Sequence, residues 1–459
     1  MLKLLALATS LISIAWAQAR EPRDRPNLVI LFCDDAGYGD FSHNGHPTIQ
    51  TPHLSRLAQE GMNFTQFYSA SPVCSASRYG LLTGRHPFRS GFPSVLFPRS
   101  KEHLASEEQT IAELASSKGY KSAIIGKWHL GYPNKNNAFT PEALPLAHGF
   151  NYWFGLPYSN DMKPPRNPDL ELVRGPSLKQ GSTGPIPGYE TVTSNPDQNT
   201  LTDLYTAEAT KFISANKDTP FLLYVPYAMP HIPLAVGKEA KGKSRRGEYG
   251  DVIQEIDDSV GKILEQLRLE GLDQNTLIIF TSDNGPWLSF GLKGGSAGLF
   301  RDGKGSTWEG GMRVPGVFRW TGVIPAGIRN ESPASLLDLV PTFAELSGAK
   351  LGDQKLDGRS LAPLFAGEEL PPENFTFFYG QRGNDEPVAV RKGAWKLHLK
   401  ITPKNNKHPF GKVSRESPLL FNLETDPSET LNLAKKQPEK VTELLKEIDR
   451  FIQEVEVKP

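Results

Sequence analysis

Cys74 stands in a polar loop, Arg78 follows four residues later, and the run 79–85 (YGLLTGR) behind them predicts a helix closed by Gly84. This spacing sets a thiol beside a helix start. Unpaired N–H groups and a partial positive charge there suit a reactive group that handles an anion. Two carboxylates, Asp34 and Asp35, stand together at the end of an apolar run, residues 27–32 (NLVILF). Two bare carboxylates do not easily share an apolar pocket at neutral pH without a cation. Asp283 and Asn284 follow a second such run, 275–280 (NTLIIF). Hard oxygen donors from two strand ends suit Ca²⁺ or Mg²⁺ rather than zinc.

Cationic candidates lie between and beyond these runs. Lys127 and His129 are two apart in GKWHLG (126–131), and a strand continued through them would project both from one face. His231 follows the apolar run 221–225, and prolines on both sides of it limit where its ring can go. Lys304 lies in a glycine-rich stretch, GKGSTWEGGMRVP (303–315), that lacks the spacing of a nucleotide phosphate loop. The same stretch carries Glu309 and Arg313, which read as a structural pair. Taken singly, each candidate also fits a plainer role. An unpaired cysteine packs as a small core residue, a lysine is solvated, and a histidine beside Trp128 packs against it.

The elements that must position these groups are legible in outline. The runs 27–32, 221–225 and 275–280 read as fully buried parallel strands, and open α/β sheets bind ligands at the carboxyl ends of such strands. Side chains alternate along a strand, so Cys33 points away from Asp34 and into packing. Residues 51–64 read as a helix ended by Gly61 and then a turn; 110–118, 249–269 and 439–455 read as further helices, the last two amphipathic. Residues 163–200 read as a long irregular insertion at the pocket rim, where selectivity often resides, and the basic run 238–246 as a solvated loop. Prolines and glycines between 350 and 375 mark a boundary, and 375–379, 389–391, 395–399 and 419–423 beyond it read as short antiparallel strands. The expected fold is α/β, a large mixed, mostly parallel central sheet flanked by helices, with a smaller C-terminal α+β subdomain. The expected division is a catalytic domain at 20–365 and that subdomain at 366–459.

Residues 1–19 have the charged start, short apolar centre and small-residue exit of a signal peptide cleaved after Ala19. No other stretch is long and apolar enough to span a membrane, so an exported chain without a stable membrane anchor is expected. The 51 basic and 51 acidic residues cancel, which argues against a nucleic-acid or polybasic membrane protein. The two cysteines, Cys33 and Cys74, are read as unpaired. Asn63, Asn330 and Asn374 each begin an Asn-x-Ser/Thr triplet, relevant only where the source glycosylates.

The segment 71–85, SPVCSASRYGLLTGR, resembles the sulfatase signature, Cys-x-Pro/Ala-x-Arg followed by Leu-Thr-Gly-Arg, with Ala76 in place of the commoner proline. The strings GKWHLG, PHIP and GKGSTWEGGMRVP are similar to further landmarks of that family, and 419–433, with TDPSET inside it, resembles its C-terminal signature. The resemblance covers nearly the whole chain after residue 19 and implies an alkaline-phosphatase-like fold. It implies that a maturation enzyme oxidises Cys74 to formylglycine. It also implies that Asp34, Asp35, Asp283 and Asn284 bind one divalent ion, usually calcium, with the modified Cys74 completing the shell. Lys127 then contacts the formylglycine or the sulfate, Lys304 contacts the sulfate, and His129 pairs with the formylglycine hydroxyl. Ser159 aligns with a sulfate-binding serine of arylsulfatase-A-like members, although Asn160 stands where a histidine is expected.

The implied reaction is hydrolysis of a sulfate monoester, an aryl sulfate or a sulfated carbohydrate. One hydroxyl of the hydrated aldehyde attacks sulfur with Asp283 as proton acceptor. The other is deprotonated by His129 and expels sulfate, restoring the aldehyde. Arg78, Lys127, His231, Lys304 and the metal oppose the charge that builds, and His231, assisted by Lys304, is the acid for the departing alcohol. The alternatives are a phosphonate monoester or phosphodiester hydrolase of the same superfamily and a non-catalytic binding protein for sulfated glycans. The compartment expected is the periplasm or exterior, or the lysosome in a eukaryote.

Overall fold

The computed structural model describes residues 25–131, 141–176, 188–380, 386–401 and 409–456; the expected signal peptide lies outside them. In chain order the large sheet is built from β1 Asn27–Cys33, β2 Met62–Tyr68, β3 Lys121–Ile125, β4 Tyr152–Gly155, β5 Glu171–Gly175 and β6 Glu190–Ser194. It continues with β7 Phe221–Pro226, β8 Thr276–Ser282, β9 Arg313–Arg319, β10 Ile328–Asn330 and β11 Ala334–Ser335. The spatial order is β10-β2-β9-β8-β1-β7-β3-β4-β5-β6, with β11 also on β2.

Strands β8, β1, β7, β3 and β4 run parallel, so their carboxyl ends share one edge. Every residue of β1, β7 and β8 is buried, as both faces of a parallel sheet require. On one face lie the helices α1 Pro52–Gln59, α4 Leu201–Ala215 and α5 Glu248–Leu269, and on the other α2 Cys74–Thr83, α3 Ile111–Ser117 and the helix Leu339–Ser347. Leu28, Leu277 and Ile279 meet Leu339, Phe343 and Leu346 on the second face. Cys33 is fully buried in the main core, as its place in the strand alternation predicts.

The C-terminal region forms a separate antiparallel sheet from β12 Thr376–Tyr379, β13 Ala389–Lys392, β14 Trp395–His398 and β15 Leu419–Asn422. The helix Pro438–Glu456 closes it through Leu444, Ile448 and Phe451. Phe375, Phe377, Tyr379 and Ala389 belong instead to the main core, so the small sheet is docked on the large one.

Two expectations change. Residues 163–200 are not uniformly irregular: they contain β5 and β6, which extend the sheet antiparallel from β4. These outer strands are short, β5 holding only Leu172 and Val173 as buried apolar side chains and β6 being mostly exposed, and so they lack a long apolar run. The turn expected after α1 is followed at once by β2, whose polar members Asn63 and Gln66 interrupt its buried positions. Among the described residues no helix is long and apolar enough to cross a membrane.

Candidate active site

The site is assembled at the shared edge. Asp34 and Asp35 leave β1, and Asp35 takes a left-handed backbone, φ 68°, that turns the chain across the strand end. Its N–H donates to Asp283 Oδ1 at 3.0 Å, and the Asp283 N–H donates to the Cys33 carbonyl at 3.1 Å, so the ends of β1 and β8 hold each other. Gly126 leaves β3 at φ 140°, where a Cβ would stand 1.9 Å from the Pro226 carbonyl oxygen. Only glycine lets the ends of β3 and β7 close, and the Lys127 N–H then donates to Pro226 O at 2.8 Å. Opposite them α2 begins at Cys74, with extended Val73 as its N-cap and left-handed Gly84 closing it. The expected helix therefore starts earlier than the run 79–85 suggests, and Cys74 is its first residue.

Three buried carboxyl groups face the buried Arg78 and Lys127 and the part-buried Lys304. Arg78 Nη2 meets Asp283 Oδ2 at 2.8 Å, Lys304 Nζ meets Asp35 Oδ1 at 2.7 Å, and Lys127 Nζ pairs with Asp34 Oδ2. The Cys74 Sγ lies 3.4 Å from Asp34 Oδ1, 3.9 Å from Asp35 Oδ1 and 3.3 Å from Lys304 Nζ. Burial, then the Asp283 charge, pushes this thiol well above its ordinary value. Unmodified, it is a protonated and weak nucleophile. Burial also pushes the Asp34 carboxyl up, but Lys127, His231, Arg78 and Lys304 outweigh it and hold the group well below the usual range. Asp283 is pushed up to about 7 by burial and by the Asp34 charge.

The histidines occupy the walls. His231 Nδ1 lies 3.1 Å from Asn160 Oδ1 and 2.6 Å from the Ile232 carbonyl, two acceptors that place the proton on Nδ1. Its Nε2 then faces Asp35 Oδ2 at 3.7 Å. Burial and the Lys304 charge lower the pKa of this ring. His129, at φ 61°, donates from Nε2 to the Leu96 carbonyl at 2.9 Å, which leaves its buried Nδ1 without a partner among the described residues. Burial and Lys127 hold it well below the ordinary value. Ser159 Oγ accepts from Lys127 Nζ at 3.1 Å and stands 3.5 Å from the His231 ring. A cleft of about 240 Å³ opens on Cys74, His129, Ser159, His231 and Lys304, with Val95, Asp161, Met162 and Trp287 also lining it.

The donor set fits a hard cation. Asp34, Asp35, Cys74 and His231 each offer an atom within 4.8 Å of the others. Asn284 Nδ2 lies 2.8 Å from Asp35 Oδ1, and its Oδ1 is buried without a partner among the described residues. Reversing this amide turns an oxygen toward the carboxylates, as a shared cation requires. Asp283 borders the group from beneath, with each oxygen holding one donor and a lone pair to spare.

The sequence-predicted residues Asp34, Asp35, Cys74, Arg78, Lys127, His129, Ser159, His231, Asp283, Asn284 and Lys304 thus meet in one place. Asn160 and Trp287 were missed. Trp287 carries Lys304 Nζ 4.3 Å from its ring centroid and the His231 ring at 5.3 Å. Its position four residues after Asp283, just past the end of β8, is the signal that an aromatic wall is available.

Residues 26–349 match the sulfatase family model, and residues 371–458 match that of the C-terminal region of aryl-sulfatase. Arylsulfatase A of Homo sapiens is 39% identical over 451 residues, covering 94% of this chain and 86% of its own. N-acetylgalactosamine-6-sulfatase of Mus musculus is 38% identical over 468 residues, with coverages of 94% and 85%. The solved PsFucS1 sulfatase from Pseudoalteromonas sp. superposes with a TM-score of 0.80 at 29% identity, over 94% of this chain and 90% of that one. A cleft at the strand ends lined by Cys74, His231 and Lys304, and similarity along nearly the whole chain, lead to one assignment: the chain belongs to the sulfatase family and is a sulfuric ester hydrolase.

Proposed function

We propose that the enzyme hydrolyses sulfate monoesters of sugars or phenols through a formylglycine formed from Cys74, beside a Ca²⁺ ion held by Asp34, Asp35, Asp283 and Asn284. The observation that carries this reading is the position of Cys74. Its Sγ lies 3.3 Å from Lys304 Nζ and 3.4 Å from Asp34 Oδ1 at a helix start, in surroundings that suppress the thiolate. The place suits a nucleophile, and the unmodified thiol does not. A hydrated aldehyde there supplies one hydroxyl to attack sulfur and a second whose loss of a proton releases sulfate. The bound cation supplies Lewis-acid polarisation of the sulfuryl oxygens.

The remaining steps belong to side chains of this chain. Lys304 and Ser159 line the cleft and bind the sulfuryl oxygens, with Lys127 buried behind Ser159 adding its charge; Arg78 orients Asp283 and the Lys127 carbonyl. His231, with Nδ1–H fixed by Asn160 and Ile232, acts as the acid in its imidazolium form, in which Nε2 also carries a proton and gives it to the departing oxygen. His129 receives the proton of the second hydroxyl at its open Nδ1. The relative that acts on N-acetylgalactosamine 6-sulfate supports a sulfated sugar among the substrates. Export through residues 1–19, conversion by a maturation enzyme and the division near residue 366 complete the reading.

The test is the mass of tryptic peptide 57–78 from protein produced beside a maturation enzyme, paired with turnover of aryl sulfate and aryl phosphonate esters. An aldehyde or its hydrate at position 74, with preference for the sulfate ester, is expected. Full turnover by a verified thiol form would overturn the mechanism, and preference for the phosphonate would reassign the substrate.

A further inference from the structure

The C-terminal signature TDPSET has no part in the cleft, yet it reaches the segment that carries Lys304. Glu429 Oε2 accepts the Glu309 N–H at 2.7 Å, and Oε1 meets His398 Nε2 at 2.7 Å and Lys396 Nζ at 3.1 Å. His398 turns its other nitrogen to Thr307 Oγ1 at 3.1 Å. Lys396 also binds Glu309 Oε1 at 2.8 Å. One residue before Glu429, Ser428 Oγ donates to the Leu299 carbonyl at 2.7 Å. The segment is thus gripped at 299, 307 and 309, with Lys304 between the grips.

Glu309, Lys396, His398 and Glu429 are fully buried. Glu429 also holds a left-handed backbone, φ 55°, which a non-glycine residue keeps only where its surroundings over-determine it. We infer that Glu429 is a positioning residue for Lys304, setting the height of that ammonium in the cleft through Glu309, His398 and Thr307. The C-terminal sheet thereby becomes part of the sulfate site without touching the substrate. The inference rests on the reading of Lys304 as a sulfate contact.

Matured enzyme carrying Glu429→Ala, Glu429→Gln, Thr307→Val, Lys304→Ala or the double change Lys304→Ala/Glu429→Ala decides it. kcat and KM for an aryl sulfate, inhibition by inorganic sulfate and Tm are measured for each. Both Glu429 variants are expected to lose about a hundredfold in kcat/KM, the scale of a misplaced catalytic group, and to weaken sulfate inhibition. Thr307→Val shifts both in the same direction by less. The double variant is expected to be no slower than Lys304→Ala, because the two residues act as one unit. Losses that multiply in the double variant overturn the inference. So do Glu429→Gln and Thr307→Val variants with parental kcat/KM and sulfate inhibition, whatever happens to Tm, and these two decide the matter if Glu429→Ala does not fold. Parental kinetics in Lys304→Ala would instead remove the reading of Lys304, and the inference with it.

Discussion

Arg78 Nη2 donates to Asp283 Oδ2 at 2.8 Å, and neither side chain reaches solvent. The same guanidinium holds the Lys127 carbonyl at 3.0 Å, so one residue of α2 ties together the ends of β3 and β8. Removing one partner of a buried ion pair leaves the other charge unpaired, at a cost of about 3–5 kcal/mol. Arg78→Ala is expected to lower unfolding stability by that much, and Arg78→Lys to recover only part of it, because an ammonium lacks the planar fork. Urea unfolding midpoints measure both. A loss below about 1 kcal/mol for the alanine variant would show that the pair is not structural.

Cation binding should appear as stability. A ligand that binds only the folded state, at a hundred times its Kd, adds about 2.7 kcal/mol. Tm is expected to rise with added Ca²⁺ and fall with a chelator, and Asp35→Ala should abolish the response. A Tm indifferent to both Ca²⁺ and Mg²⁺ would remove the metal from the site.

Glu309 gives a pH prediction away from the cleft. Burial raises its carboxyl, but Lys396 and Arg313 outweigh burial and bring it from the ordinary 4.5 to about 2. The folded value lies below the unfolded one, so the ionised group contributes stability above pH 4.5 and loses it as pH falls toward 2. The contribution is on the order of 3 kcal/mol. Glu309→Gln is expected to lower stability at neutral pH and to flatten the acid limb in that window. Parent and variant curves that stay parallel there would contradict it.

Gly126→Ala tests the joint behind Lys127. The added methyl would lie 1.9 Å from Pro226 O. Forced overpacking costs about 1–3 kcal/mol and displaces backbone. Lower Tm and loss of aryl sulfatase activity are expected together. A variant with parental Tm and turnover would mean that β3 and β7 part without consequence.

How much of this is legible in the sequence depends on burial. The runs NLVILF, FLLYV and NTLIIF announce β1, β7 and β8 because both of their faces are apolar, and the chemistry stands just past each run. β9 hides because RVPGVFR contains Arg313, Pro315, Gly316 and Arg319. The Arg313–Glu309 pair is local and legible, but buried Arg319 is paired with Glu60 and Asp273, partners that no local window shows. Asn160 is hidden for a related reason. Its task depends on a contact with His231, 71 residues away, which nothing local encodes. Cys74, Arg78, Lys127 and Lys304 are legible as a set only through the resemblance of their motifs. Single lysines and cysteines carry little signal of their own.

The place of β1 has a consequence for the making of the protein. It is near the start of the chain and lies in the middle of the sheet, and its side-chain bonds join partners 194 and 249 residues downstream. At a synthesis rate of about 5–20 residues per second, β8 emerges roughly 12–50 s after β1. Both edges of this apolar strand stay open until β7 emerges and one edge until β8 does, the condition under which nascent chains aggregate. A chain terminated before residue 276 would lack β8 and never close that gap. The order in which the strands are born, more than the stability of the finished sheet, decides where this enzyme depends on chaperones.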